Sequence, residues 1–299
     1  MLNITGLSKR YGDIVALDEF GLEAHGGRLV GFLGANGAGK TTTMRAIFGL
    51  IQPDAGQLTW DGNVITGEQR RRFGYMPEQR GLYARIPIGE QLEYFGRLHG
   101  MTKANASVAA TSMLEELGLN DRRADKLETL SHGNQQRIQL GVALVHNPDL
   151  LVLDEPFSGL DPVGVTTMIE VLRARASAGV AVVFSSHQLE LVEDLCDDVI
   201  LISHGHSVLH GTIDDVRSRA GRRVAEVSMA NGVNGTAPEI AGTRAELRHG
   251  GVRYNLPHTV TPNEVLAALD GFGTITAFNF RLPSLSEVFL SAVGEPAVP

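Results

Sequence analysis

The sequence predicts an α/β protein: a mostly parallel sheet with helices packed against it, followed by a small α+β domain. Three observations predict it. A short apolar run, Leu29-Val30-Gly31-Phe32-Leu33, feeds a glycine loop and then residues 44–48 at helical spacing. Uninterrupted apolar runs at 150–153, 180–184 and 199–202 read as strands buried on both faces, and helical stretches between them give the alternation that builds a parallel sheet. After about residue 215 that alternation gives way to two-residue periodicity and hairpin signals.

In chain order, residues 2–8 and 14–20 read as two strands about the turn Lys9-Arg10-Tyr11-Gly12-Asp13. Tyr11 could stack on a nucleotide base or be a half-buried strand tyrosine; position alone favours the second. The glycine loop is Gly34-Ala35-Asn36-Gly37-Ala38-Gly39-Lys40-Thr41-Thr42. Its G-x-x-x-x-G-K-[ST] pattern, between strand and helix, is that of a phosphate-binding P-loop. Glycines let several N–H groups converge on phosphate oxygens, and the helix that starts there points its positive end at the same anion. Lys40 would reach the β- and γ-phosphates, and the Thr41 hydroxyl would sit on Mg²⁺. In a chain with four lysines, chance should produce the pattern about once in a hundred such sequences. The motif implies binding of a nucleoside triphosphate.

Residues 52–56 form a turn, 57–60 a strand, Asp61-Gly62 a second turn, and 72–76 another strand ending at Pro77-Glu78-Gln79. From about 89 to 147 the period is helical, with Gly118 as a stop. Leu130-Ser131-His132-Gly133-Asn134-Gln135-Gln136-Arg137 opens a helix that Ser131 caps and Asn147-Pro148 ends; taken alone, it need be no more than a capped structural helix. The run 150–153 stops abruptly at Asp154-Glu155-Pro156, at the carboxyl end of a strand, where α/β proteins hold ligands. Behind a P-loop, Asp154 is expected to hold Mg²⁺ through its water shell, and Glu155 to orient or deprotonate the attacking water. Ser158-Gly159-Leu160-Asp161-Pro162 leads into a helix over roughly 163–177, strand 180–184 ends in Ser185-Ser186-His187, and strand 199–202 leaves through His204-Gly205-His206.

In the last part, residues 222–228 alternate, and 245–249 with 252–256 flank Gly250-Gly251 as a hairpin. Thr261 to Glu264 is a capping box with Pro262 at the first helical position. A strand near 274–281 follows, then a second capping box, Ser284 to Glu287, for a final helix. This part carries no ionisable cluster suited to chemistry and reads as an interaction or regulatory surface, with residues 294–299 a frayed tail.

The composition narrows the classes. A net charge of −8 and a pI of about 5.7 argue against a general nucleic-acid binder. A single cysteine, Cys196, can form neither an internal disulfide nor a cysteine-rich metal site, which suits a reducing compartment. No apolar run reaches the roughly 18 residues needed to span a bilayer, and the N-terminus does not read as a signal peptide.

Taken together, five segments resemble, in order, those of an ABC (ATP-binding cassette) ATPase over residues 1–215. They are Gly34 to Thr42, Glu78-Gln79, Leu130 to Gln135, Leu150 to Glu155 with Ser158 to Asp161, and His187. The remainder, with its Pro283-Ser284-Leu285-Ser286-Glu287-Val288-Phe289 ending, resembles the C-terminal domain of bacterial sodium-efflux and multidrug-efflux ATPase subunits. The resemblance implies an ABC cassette with an antiparallel β subdomain and a helical subdomain at about 89–147, and domains at 1–215 and 216–299. It implies ATP and Mg²⁺ as cofactors, with Lys40, Glu155 and His187 catalytic and Thr41, Glu78 and Asp154 at the metal. It also implies a head-to-tail pair of cassettes. Tyr11 would stack on adenine, and Gly34, Asn36, Gly37, Ala38, Gly39, Lys40, Thr41 and Thr42 would hold the phosphates. Ser131 and Gly133 of the partner copy would cap the γ-phosphate, with Asn134 beside them in the nucleotide site, and Asp161 would link the two sites.

The implied partners are a second cassette, in a homodimer, and an integral-membrane permease docking near residues 80–85, with no nucleic acid. The implied place is the cytoplasmic face of the plasma (inner) membrane. The function expected is that of the ATP-hydrolysing subunit of an exporter; the alternative is a soluble ABC-type ATPase acting on DNA or the translation machinery. A binding-only cassette is disfavoured by intact Lys40, Asp154, Glu155 and His187. Two departures stand out. In the signature, His132 replaces a glycine and Asn134 a glutamine. In the loop after Pro77, Glu78 takes the place of the Mg²⁺-sensing glutamine, with Gln79 as the alternative.

Overall fold

Buried residues recur along the first strand, β1 (Leu2–Tyr11), with Leu2, Ile4 and Leu7 inward. It pairs antiparallel with β2 (Ile14–Ala24) and β4 (Ala55–Trp60), and β5 (Asn63–Val64) completes a sheet ordered β2-β1-β4-β5. The structure, a computed structural model, describes residues 1–79, 81–230 and 237–294. The chain divides into two units, Met1–Gly211 and Thr212–Pro299.

The centre of the first unit is a six-stranded sheet among the described residues, ordered β10-β9-β3-β8-β7-β6. Its strands are β3 (Leu29–Leu33), β6 (Phe73–Met76), β7 (Leu150–Leu153), β8 (Ala181–Ser185), β9 (Asp198–Ser203) and β10 (His206–Thr212). All residues of β3, β7 and β8 are buried, as their unbroken apolar runs require. The pairs β6/β7, β7/β8, β8/β3 and β3/β9 are parallel, so five neighbouring strands end on one edge. One core joins the two sheets: Val30, Phe32, Val152 and Val183 meet Leu2, Ile4 and Phe20, together with Met44 and Ile47 of α1 (Lys40–Ile47).

After α2 (Gly67–Arg70) come α3 (Ile88–Leu98), α4 (Lys103–Glu116) and α5 (His132–Leu144). Gly118, at φ +68°, turns the chain beyond α4. Ser131 caps α5 through its hydroxyl, which accepts from the Asn134 N–H. α6 (Pro162–Ser177) starts at Asp161, whose carboxylate accepts the Gly164 N–H at 2.7 Å. Helix α7 (Leu189–Leu195) and edge strand β10 had no clear signal in the sequence. α7 spans only two turns, and β10 keeps His206, Val208 and His210 exposed, so neither shows an apolar run.

The second unit begins with α8 (Ile213–Arg219). Strands β11 (Arg222–Met229), β12 (Glu246–Arg248), β13 (Gly251–Pro257) and β14 (Ile275–Arg281) form an antiparallel sheet ordered β12-β13-β11-β14. α9 (Pro262–Ala268) is fixed by the Thr261–Glu264 capping box, and its Val265 joins Ala225, Val227, Tyr254 and Leu256 in a separate core. α10 (Leu285–Gly294) opens with Ser284 and Glu287 bonded reciprocally.

This unit holds a charged cluster centred on Glu287, and it is not one suited to chemistry. Glu287 accepts from Arg281, Arg253 and the Ser284 N–H. Burial pushes its carboxyl up, but Arg281, the Ser284 N–H and Arg253 outweigh that and bring it down to about 2. An acid saturated by permanent cations ties α10 to the sheet; it is not free for chemistry. The expected tail beyond 294, like Arg80 of the expected docking loop, lies outside the described residues. Among those described, no helix is long and apolar enough to cross a membrane.

Candidate active site

The sheet order brings the sequence motifs together. The P-loop leaves β3, His187 follows β8, Asp154 and Glu155 follow β7, and Glu78 follows β6, all at carboxyl ends of adjacent parallel strands. The result is a cleft of about 270 Å³ lined by Asn36, Gly37, Gly39, Lys40, Thr41, Thr42, Glu78, Asp154 and Glu155. A roomier hollow of about 650 Å³ is lined in part by Glu19, Glu23 and Asp198. The smaller cleft gathers the glycine loop, Lys40 and Thr41, groups that can donate to phosphate, and is the candidate site.

Close approach explains the loop glycines. Gly39 caps α1 at φ +117°, and a Cβ there would sit 2.6 Å from the Ala16 carbonyl oxygen of β2. The loop is pinned from below by the Gly205 N–H donating to the Ala38 carbonyl at 3.0 Å. Ala38 is buried in that support rather than lining the cleft, and Gly34 contributes its carbonyl. Lys40 is buried, and its ammonium donates to the carbonyls of Gly34 at 2.7 Å and Ala35 at 3.1 Å. Burial lowers its pKa, while Glu155, Asp154 and Glu78 pull it back up.

Both carboxylate oxygens of Asp154 have a partner. One oxygen accepts from the Thr41 hydroxyl at 3.0 Å and the other from Ser185 Oγ at 2.6 Å. The same Ser185 oxygen accepts the Glu155 N–H at 2.9 Å, so a single hydroxyl spaces the two acids. Glu155 sits at φ +50°, a left-handed backbone that a glutamate rarely adopts and that turns its side chain out of the strand line. His187 Nδ1 lies 2.8 Å from Glu155 Oε2, which places the proton on Nδ1 as donor. Glu78 lines the cleft and Gln79 does not.

The donor set suits a hard divalent cation. A threonine hydroxyl and carboxylates are oxygen ligands of the kind Mg²⁺ takes alongside phosphate and water. Among the described residues no group of three His, Cys, Asp or Glu could by itself hold a metal ion.

Tyr11 ends β1 and is half exposed, with Lys9 Nζ 5.6 Å from its ring centre. Its hairpin returns along β2 to Ala16 against Gly39, so the ring belongs to the hairpin tip beside the loop rather than to the cleft. Ser131, Gly133, Asn134 and Asp161 line no part of the cleft either; Ser131 and Asp161 are exposed. The sequence reading missed three residues. Ser185 holds both acids, Gln136 Nε2 donates to the Pro156 carbonyl at 3.1 Å, and Gln139 Nε2 to the Pro77 carbonyl at 2.6 Å. The signal present was a serine closing an apolar strand, and two glutamines three apart on one helix face.

Comparison with known proteins agrees along the chain. Residues 17–158 match the family model described as ABC transporter, and residues 211–293 the model for the C-terminal domain of ATP-binding proteins like DrrA1-3. An uncharacterised ABC transporter ATP-binding protein, YhaQ of Bacillus subtilis, is 36% identical over 98% of this chain and 99% of its own. Nod factor export ATP-binding protein I of Cupriavidus metallidurans is 33% identical over 98% of this chain and 97% of its own. The daunorubicin/doxorubicin resistance ATP-binding protein DrrA of Streptomyces peucetius is 32% identical over 99% and 93%. Among solved structures, the ATP binding subunit of an ABC transporter superposes with a TM-score of 0.69 at 30% identity, covering 74% of this chain and 93% of that one. Transporter subunits matched over nearly their whole length do not favour the alternative of an ATPase acting on DNA or translation.

Proposed function

This chain belongs to the ATP-binding proteins of ABC transporters, and on that premise we propose that two copies, head to tail, hydrolyse ATP to drive export through a separate membrane subunit. The observation that carries the reading is the split between cleft and signature turn. Lys40, Thr41, Asp154 and Glu155 surround one side of a phosphate-sized space, while Ser131 and Gly133 stand at an exposed helix start outside it. A helix N-terminus with a serine hydroxyl is an anion site in need of an anion, and a second copy supplies one. Because α5 has 13 residues, its N-terminal field is that of a full helix.

The roles follow from the geometry. The loop N–H groups and Lys40 bind the phosphates, the ammonium exchanging its carbonyl partners for phosphate oxygens. When bound, Mg²⁺ would be held by the Thr41 hydroxyl and, through water, by Asp154, with Glu78 facing it, and would offset phosphate charge. Glu155 accepts the proton of the attacking water. His187 holds one oxygen of that carboxylate and leaves the other free for the water. Tyr11 stacks on adenine, and Asp161 passes signals between the two sites. The partners are a second copy and an integral-membrane permease, on the cytoplasmic face of the plasma membrane; the relatives named for export support that direction.

The test is the oligomeric state of the full-length Glu155→Gln chain. Sedimentation should show monomers without nucleotide and dimers at saturating ATP. Monomers at saturating ATP overturn the reading.

A further inference from the structure

One stripe of α5 is fastened to the loops around the site. His132, Gly133, Gln136 and Gln139 fall at i, i+1, i+4 and i+7, which places them on one helix face. Towards the carboxyl end, buried Gln139 holds the Pro77 carbonyl just before Glu78, and buried Gln136 holds the Pro156 carbonyl just after Glu155. At the amino end the stripe meets the loop 158–161. Leu160 Cδ2 lies 3.5 Å from where a Cβ of Gly133 would stand. The His132 ring fills the space over Gly159: a Cβ there would lie 2.8 Å from both Cε1 and Nδ1 of the imidazole. Gly159 is itself at φ +71°, so the loop reverses at the point where the ring covers it.

A glycine at 132, as in the usual signature, has no atoms to reach that loop. We propose that His132 is a positioning residue whose ring braces the loop 158–161 against the first turn of α5, so that Ser131, Gly133 and Asp161 meet the partner's nucleotide as one body. This rests on the head-to-tail reading above. Without the ring, the loop loses its side-chain cover at Gly159 and keeps the Leu160 packing and the turn bonds from the Ser158 and Leu160 N–H groups to the carbonyls of Glu155 and Phe157, while Asp161 stays tied to α6 through the Gly164 N–H. The segment then samples more orientations and must be ordered when the two copies close. Binding of ATP to the P-loop precedes that step and does not involve the brace. The loss therefore falls on turnover, not on the KM for ATP.

The test is a double-mutant cycle on the full-length chain, read by steady-state Mg-ATP hydrolysis. His132→Gly lowers kcat about five-fold with KM for ATP within about two-fold, and His132→Ala, which keeps helix propensity, gives the same split. Gly159→Ala forces a Cβ against the ring, and removing the ring relieves that clash. Gly159→Ala therefore costs about five-fold more in the parent than in the His132→Gly background. Unchanged kcat in His132→Gly, or equal cost of Gly159→Ala in both backgrounds, overturns the brace. If the Glu155→Gln chain stays monomeric with ATP, the head-to-tail reading falls and the brace with it; if it dimerises and the cycle is additive, only the brace falls.

Discussion

Two glutamates, one in each unit, show how environment divides chemistry from architecture. Glu287 is surrounded by groups that never lose their protons: Arg281, Arg253 and a backbone N–H. Among the described residues Glu155 has one side-chain partner, His187, whose ring is largely exposed at 69%. Its backbone is held by Ser185 in a left-handed turn. The first carboxylate has no lone pair to offer a reaction; the second has one aimed into a cleft with Lys40 and Asp154. Both glutamates follow a signal readable in sequence, a capping box and an Asp-Glu after an apolar strand. The number and permanence of the surrounding donors decides which of them can do chemistry.

The comparison is easiest to break by exchanging each acid for its amide. Glu155→Gln should retain ATP binding and lose turnover by on the order of 10²-fold or more, since the amide cannot accept the proton of water. An unchanged rate in a hydrolysis assay removes Glu155 from the mechanism. Glu287→Gln should instead leave kcat near the parent value and cost about 2 kcal/mol of stability, because two arginines lose their shared anion. Chemical denaturation followed by hydrogen exchange in β13 and β14 reads that loss; a kcat that falls while exchange is unchanged would reverse the assignment.

Acid sharpens the same contrast. The Glu287 carboxyl is depressed from 4.5 to about 2, so its stabilisation is complete above about pH 4.5 and disappears as pH falls towards 2. In the Glu287→Gln chain the slope of stability against pH over that window should flatten. A smaller effect concerns the spacing of the two site acids. Ser185→Ala removes the buried hydroxyl that donates to Asp154 and accepts from the Glu155 N–H, and should lower kcat about ten-fold and cost about 1–3 kcal/mol of stability, because both partners are left unpaired. The smallest effect separates neighbours: Glu78→Ala should raise the Mg²⁺ needed for half-maximal rate by about three- to five-fold, and Gln79→Ala should not. The opposite order returns the metal-facing role to Gln79.

How much of this was legible depends on how far apart the cooperating residues stand. The P-loop and the Asp154-Glu155 pair announce themselves because each is contiguous and has a fixed strand context. Ser185 serves Asp154 from 31 residues away and Gln139 serves Pro77 from 62, so only the sheet order reveals them. The ambiguity between Glu78 and Gln79 is one of side-chain direction at the end of β6, which one-residue spacing cannot settle. α7 and β10 escaped because a short amphipathic turn and a half-exposed edge strand have no run to detect. Tyr11, read in the sequence as part of a turn, is the last residue of β1 and pairs with Ile14, because the hairpin strands run on past the residues whose alternation marks them.

The central claim is that each copy finishes the other's site, and intermolecular cross-linking tests it most directly. In the full-length Glu155→Gln chain, mixing a copy carrying Asn36→Cys with one carrying Ser131→Cys and oxidising mildly should give a covalent dimer when ATP is present and little when it is absent. Equal cross-linking with and without ATP, or none at saturating ATP, contradicts the account.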